Sequence, residues 1–97
     1  DFFPLFNSGG GDFYLIDIKK ESGKHGMIYY FSPSNPDFKG FITMSDSLKS
    51  LISTVITCYE KNAYKYDYSI NSLIFNPELE NKIFKDLNPK SDYWKLF

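Results

Sequence analysis

The apolar residues of this chain change period once, near residue 46, and no other feature constrains the fold as much. Before that point, short runs rich in aromatic and β-branched residues are separated by turn signals, which is the pattern of strands. After it, Leu48, Leu51, Ile52, Val55, Cys58 and Tyr59 recur at the spacing of one helix face. Strands first and helices second predict an α+β fold, with an antiparallel sheet of about four strands packed against two C-terminal helices.

Residues 2–6 read as the first strand, and Pro4, which has no N–H to donate, confines it to a sheet edge or a bulge. Asn7-Ser8-Gly9-Gly10-Gly11 is a turn. Residues 12–18 form the second strand, residues 19–26 a polar hairpin loop, and residues 27–32 the third strand. Pro33-Ser34-Asn35-Pro36-Asp37 is a loop, and residues 41–44 add a short fourth strand. The helix spans about 46–62, with Ser45 or Ser47 as N-cap, because a short hydroxyl side chain accepts from the free N–H groups of the first turn. Residues 64–68 are aromatic and irregular, with an extended course as the alternative. Asn76-Pro77 then starts a second helix, since Pro at the first helical position gives up an N–H that has no partner anyway. Leu79, Ile83, Phe84 and Leu87 are its apolar stripe, Asn88-Pro89 ends it, and residues 91–97 are a short aromatic tail.

With 97 residues, the chain forms a single domain, 1–97. Its 42% hydrophobic and 20% aromatic content argues against disorder. A formal charge of −1 points at neither nucleic acid, nor membrane, nor a highly charged substrate. No window approaches the roughly 20 apolar residues of a membrane span. All 11 basic residues are lysine, so the bidentate clamps on carboxylate or phosphate that arginine makes are excluded. A single cysteine, Cys58, precludes an intrachain disulfide and suits a reducing cytoplasm. The chain opens on Asp1-Phe2-Phe3 without an initiating Met and reads as part of a longer one.

The candidate chemical sites resolve into structural roles. Gly9-Gly10-Gly11 leads into a strand rather than a helix N-terminus, so it reads as a turn needing positive φ and not as a phosphate loop. Asp12 and Asp17 are an odd number of residues apart on one strand, so their side chains leave opposite faces. Cys58 lies on the apolar stripe and His25 in the hairpin loop, which gives no nucleophile–base pair. One His and one Cys do not supply the ligands of a zinc site. The expectation is no catalysis and no cofactor. Tyr64, Tyr66 and Tyr68, interleaved with lysines, have the composition of a single-strand nucleic-acid platform, but Glu60 and Asp67 dilute the charge and helix-end packing is the simpler role. Tyr93 and Trp94 read as caps on the core that can also anchor an interface.

Residues 8–17, Ser-Gly-Gly-Gly-Asp-Phe-Tyr-Leu-Ile-Asp, resemble the core signature of the SUKH superfamily in its Smi/Knr-like branch: a Gly-Gly-Asp turn, a hydrophobic strand and a second Asp. Residues 26–31 are similar to the family's following strand, residues 46–51 to the start of its long helix, and residues 88–94 to its closing motif. On this resemblance Gly10, Gly11, Asp12, Asp17 and Tyr29 carry the signature. The helical portion that usually precedes the first strand is missing, and the family's acidic positions are reduced to Asp46 at the helix start, with Asp37 beyond Ser32-Pro33-Ser34-Asn35-Pro36. The resemblance implies a non-catalytic protein-binding module. In bacteria that means an immunity protein that binds and neutralises a cognate polymorphic or contact-dependent toxin. Alternatives are a regulatory adaptor in cell-wall synthesis or signalling and, behind it, a nucleic-acid-binding domain. Asp37 and Phe38 in the proline loop, with Trp94 behind them, are the residues expected to contact the partner.

Overall fold

Aromatic and β-branched runs separated by short turns pair as neighbours, because each hairpin closes only a short loop. The computed structural model of the chain describes residues 2–7, 9, 11–19, 23–33 and 40–96. Strands β1 (Phe2–Asn7), β2 (Phe13–Asp17), β3 (Ile28–Phe31) and β4 (Phe41–Ser45) form an antiparallel meander in the order β1-β2-β3-β4. Helix α1 (Leu48–Glu60) follows, then a two-stranded hairpin of β5 (Tyr64–Asp67) and β6 (Ser72–Phe75), then α2 (Pro77–Leu87) and a single 3₁₀ turn, Trp94–Leu96. The α+β fold of a four-stranded antiparallel sheet with two C-terminal helices is therefore the observed one.

Several boundaries have local causes. Gly9 and Gly11 sit at φ +77° and +99°, the left-handed region that favours glycine, and Asn7 Oδ1 accepts the Gly9 N–H at 3.0 Å. β1 is an edge strand, a place where proline's missing N–H is tolerated, and its register with β2 shifts between Pro4 and Phe6. Ser47, not Ser45, is the N-cap of α1. Its hydroxyl accepts the Ser50 N–H at 3.0 Å, and Ser50 Oγ accepts the Ser47 N–H at 2.9 Å. Removing this cap by Ser47→Ala is expected to cost about 1 kcal/mol in a denaturant titration with unchanged m. Asn76 caps α2 in the same way, its Oδ1 accepting the Leu79 N–H at 3.2 Å.

One element escaped the sequence reading. Within the aromatic stretch 64–68, Tyr64–Asp67 is extended and pairs with Ser72–Phe75 in a second small sheet, and Tyr68 begins the turn. The connecting turn contains neither Gly nor Pro, and Asn71 takes the left-handed conformation, φ +53°, in their place.

Both helices pack on one face of the large sheet. Tyr14 and Ile16 of β2, Ile28 and Tyr30 of β3 and Met44 of β4 meet Leu51, Val55 and Cys58 of α1 and Leu79, Ile83 and Phe84 of α2. Trp94 stacks on Phe84, ring centroids 4.2 Å apart and 19° from parallel. The chain leaving α2 meets the far edge of the sheet at Thr43. Thr43 O of β4 accepts the backbone N–H groups of Asp92 (3.1 Å) and Tyr93 (2.9 Å), and Ser91 Oγ donates to it at 3.2 Å. Those bonds satisfy edge groups that would otherwise be open.

Candidate functional site

A sheet covered by helices on one face is expected to present polar side chains on the other. This one presents mainly aromatic ones. The residues that alternate away from the helices include Phe2, Phe13, Leu15, Tyr29, Phe31 and Phe41, with Asp17 and Thr43 as buried polar members, placed there by the strand register. Phe2 belongs to one edge strand and Phe41 to the other, yet their rings are 4.6 Å apart. The sheet therefore curls toward its outer face. Register shifts in the β1–β2 and β3–β4 pairs supply the bend, since a bulge increases local twist. Tyr29 lies beneath, 8% exposed, with Phe2 edge-on at 5.2 Å. Phe31 lies beside Phe41 at 4.8 Å and beside Phe13 at 6.4 Å. Phe2 and Phe41 form the surface of this cluster, 37% and 47% exposed.

Asp12 and Asp17 separate as their spacing predicts. Asp17 is on the outer face, buried beside Tyr29. Its Oδ1 accepts the Lys19 N–H at 2.9 Å and its backbone carbonyl accepts the Gly26 N–H at 2.8 Å, so it ties both sides of the β2–β3 loop. Burial, and after it the Asp17 charge, pushes the Tyr29 phenol above its ordinary range. Asp12 is on the helix side, where its Oδ1 accepts from the Ser32 hydroxyl and joins the start of β2 to the end of β3. Gly11 has the positive φ that the turn needs. Gly10, Asp37 and Phe38 lie outside the described residues.

Trp94 is half-buried against Phe84. Together with Tyr93, Glu78, Glu80 and Lys85 it lines a surface cavity of about 590 Å³, on the α2 side of the molecule and away from the outer sheet face. Tyr14, Tyr30 and Tyr93 form a row on the helix side, with Tyr14–Tyr30 and Tyr30–Tyr93 ring centroids 6.1 and 5.1 Å apart. Burial, with Tyr93 and Tyr30 next, pushes the Tyr14 phenol up to about 12. Tyr30 and Tyr93 are raised too, mainly by burial, as is Tyr64, whose hydroxyl also donates to Glu80. A phenol held neutral in the fold but free to ionise near 10 when unfolded stabilises the fold fully below pH 10. That contribution is lost as pH rises from 10 toward 12. The expected result is cooperative alkaline unfolding in that window, with phenolate absorbance and loss of circular dichroism arriving together. Tyrosines titrating near 10 in a chain that keeps its dichroism would contradict it.

The other candidates have structural surroundings. Cys58 is buried within the core cluster, where burial raises its thiol, while His25 is exposed in the β2–β3 loop. Tyr64 packs edge-on against Tyr59 and Phe75, and Tyr66 packs against Tyr68 and bonds Asn71. Among the described residues, no group of three or more His, Cys, Asp or Glu side chains could hold a metal ion, and no helix is long and apolar enough to cross a membrane. Comparison of the chain with family models, curated proteins and solved structures finds no match.

Proposed function

We propose that this chain is a non-catalytic protein-binding module of the SUKH type, acting in the cytoplasm as an immunity protein that binds a cognate toxin domain and blocks it. The observation that carries the binding reading is the outer sheet face, where the exposed rings of Phe2 and Phe41 sit over Tyr29. Contiguous exposed apolar surface marks interaction sites, and large aromatics supply most of the energy at such interfaces. The toxin as partner rests on the resemblance of residues 8–17, 26–31, 46–51 and 88–94 to the Smi/Knr-like signature.

The test is co-purification of the tagged protein with the toxin domain encoded beside it, followed by substitution of Phe41. Phe41→Asp places a charge in the aromatic surface without touching the helix side. It is expected to weaken the complex at least about 10-fold, which is about 1.4 kcal/mol, while the variant stays folded with parental helical dichroism and a melting temperature lowered only by the lost ring contacts to Phe2 and Phe31. Failure of the protein to protect cells producing that toxin sinks the immunity reading. A stable complex with a wall-synthesis or signalling protein instead moves the function to an adaptor.

A further inference from the structure

We propose that the outer stripe of α1 and the groove it forms with β1 are the contact through which two copies of this chain pair about a two-fold axis, with the two α1 helices antiparallel. The inference does not rest on the outer sheet face or on the toxin reading.

The two helices present different surfaces. α2 sends Glu78, Lys82, Lys85 and Asp86 into solvent, with Lys82 and Asp86 ion-paired at 2.9 Å, as a water-facing helix does. α1 has no charged residue between Lys49 and Glu60, and its exposed stripe is Leu48, Ile52, Ile56 and Tyr59, with Ile52 and Ile56 each about half exposed. Its interior is rich in β-branched residues (Ile52, Thr54, Val55, Ile56, Thr57), which lower helix propensity, so α1 depends on packing more than α2 does. Between this stripe and the sheet lies a groove of about 310 Å³ lined by Phe6, Tyr14, Leu51, Ile52, Val55 and neighbouring apolar residues.

The stripe is self-complementary. A two-fold axis midway between Ile52 and Ile56 sets Ile52 against Ile56 of the second copy, and the reverse. The same operation brings Lys49, on one flank at the start of α1, to Glu60 at the end of the other α1, on the same flank. Both charged side chains are exposed and bracket the uncharged run.

The experiment is light scattering and sedimentation velocity of the purified 97-residue chain across micromolar concentrations. The expected result is a species of twice the chain mass. The Ile52→Lys/Ile56→Lys double variant should be monomeric, with its helical dichroism and its Phe41-dependent partner binding intact. Lys49→Glu should weaken the dimer at least about 10-fold, and adding Glu60→Lys should restore it, a rescue that a purely structural role for either residue does not produce. A parent chain that is monomeric at high micromolar concentration, including one whose groove is filled by another protein's helix, overturns the proposal. So does a dimer that survives the double lysine variant. Loss of the toxin complex on Phe41→Asp with the dimer unchanged bears on the functional reading alone.

Discussion

Replacing Asn88 by alanine is expected to lower the stability of the fold by about 3 kcal/mol, a fall in Tm on the order of 15 °C for a chain this size. Asn88 follows α2 and is 1% exposed. Its Oδ1 accepts from the Asp46 N–H at 3.2 Å and from Ser50 Oγ at 2.9 Å, and its Nδ2 donates to Thr54 Oγ1 at 2.8 Å and to Phe84 O at 3.1 Å. One side chain thus joins the end of α2 to the N-terminus and second turn of α1. Alanine removes all four bonds and leaves the Thr54 hydroxyl, fully buried, without that donor. Asn88→Asp keeps an acceptor but loses both donated bonds and buries a charge, so it should be no milder. Denaturant unfolding at constant m measures both variants; a shift of only a degree or two for the alanine variant would show that the network is dispensable.

Phe84→Ala is expected to cost about 3–4 kcal/mol, the usual penalty for deleting a buried aromatic side chain. Phe84 is buried between the helices and the sheet and carries Trp94 stacked against its ring. Trp94 is the one tryptophan of the chain, so its fluorescence reports the site directly. The variant should unfold at lower denaturant and, while still folded, show emission shifted toward that of hydrated indole. A stable variant with unshifted emission would mean that Trp94 is held by Tyr93 and the 3₁₀ turn instead. Either loss is large against the roughly 5–15 kcal/mol that stabilises a typical domain, so the Asn88→Ala/Phe84→Ala double variant is expected to be unfolded at room temperature.

What was legible in advance followed from local chemistry. The switch from strand runs to helix spacing near residue 46 announced the α+β order. Pro4 announced an irregular edge strand, and the odd spacing of Asp12 and Asp17 announced their separation onto two faces. The hairpin of β5 and β6 was half legible, because a four-residue strand after a turn without Gly or Pro carries little signal. Trp94 stacks on Phe84, in line with its reading as a cap on the core, and also lines a surface cavity. The aromatic outer face was not foreseen. Its signal was present in the near-continuous apolar runs of β1 to β4, which mark a sheet with two apolar faces rather than one.

By itself the sequence determined fold class, the order of the four-strand sheet and the two helices, the Asn76 cap of α2 and the faces on which Asp12 and Asp17 lie, because each depends on residues within a few positions of one another. Only the tertiary structure decided that Phe2 meets Phe41 across the curled sheet, that Asn88 joins both helices, and that the exposed isoleucines of α1 border an open groove. Those contacts join residues 34 or more positions apart, or elements whose relative placement depends on how the whole sheet twists, and no local pattern encodes that.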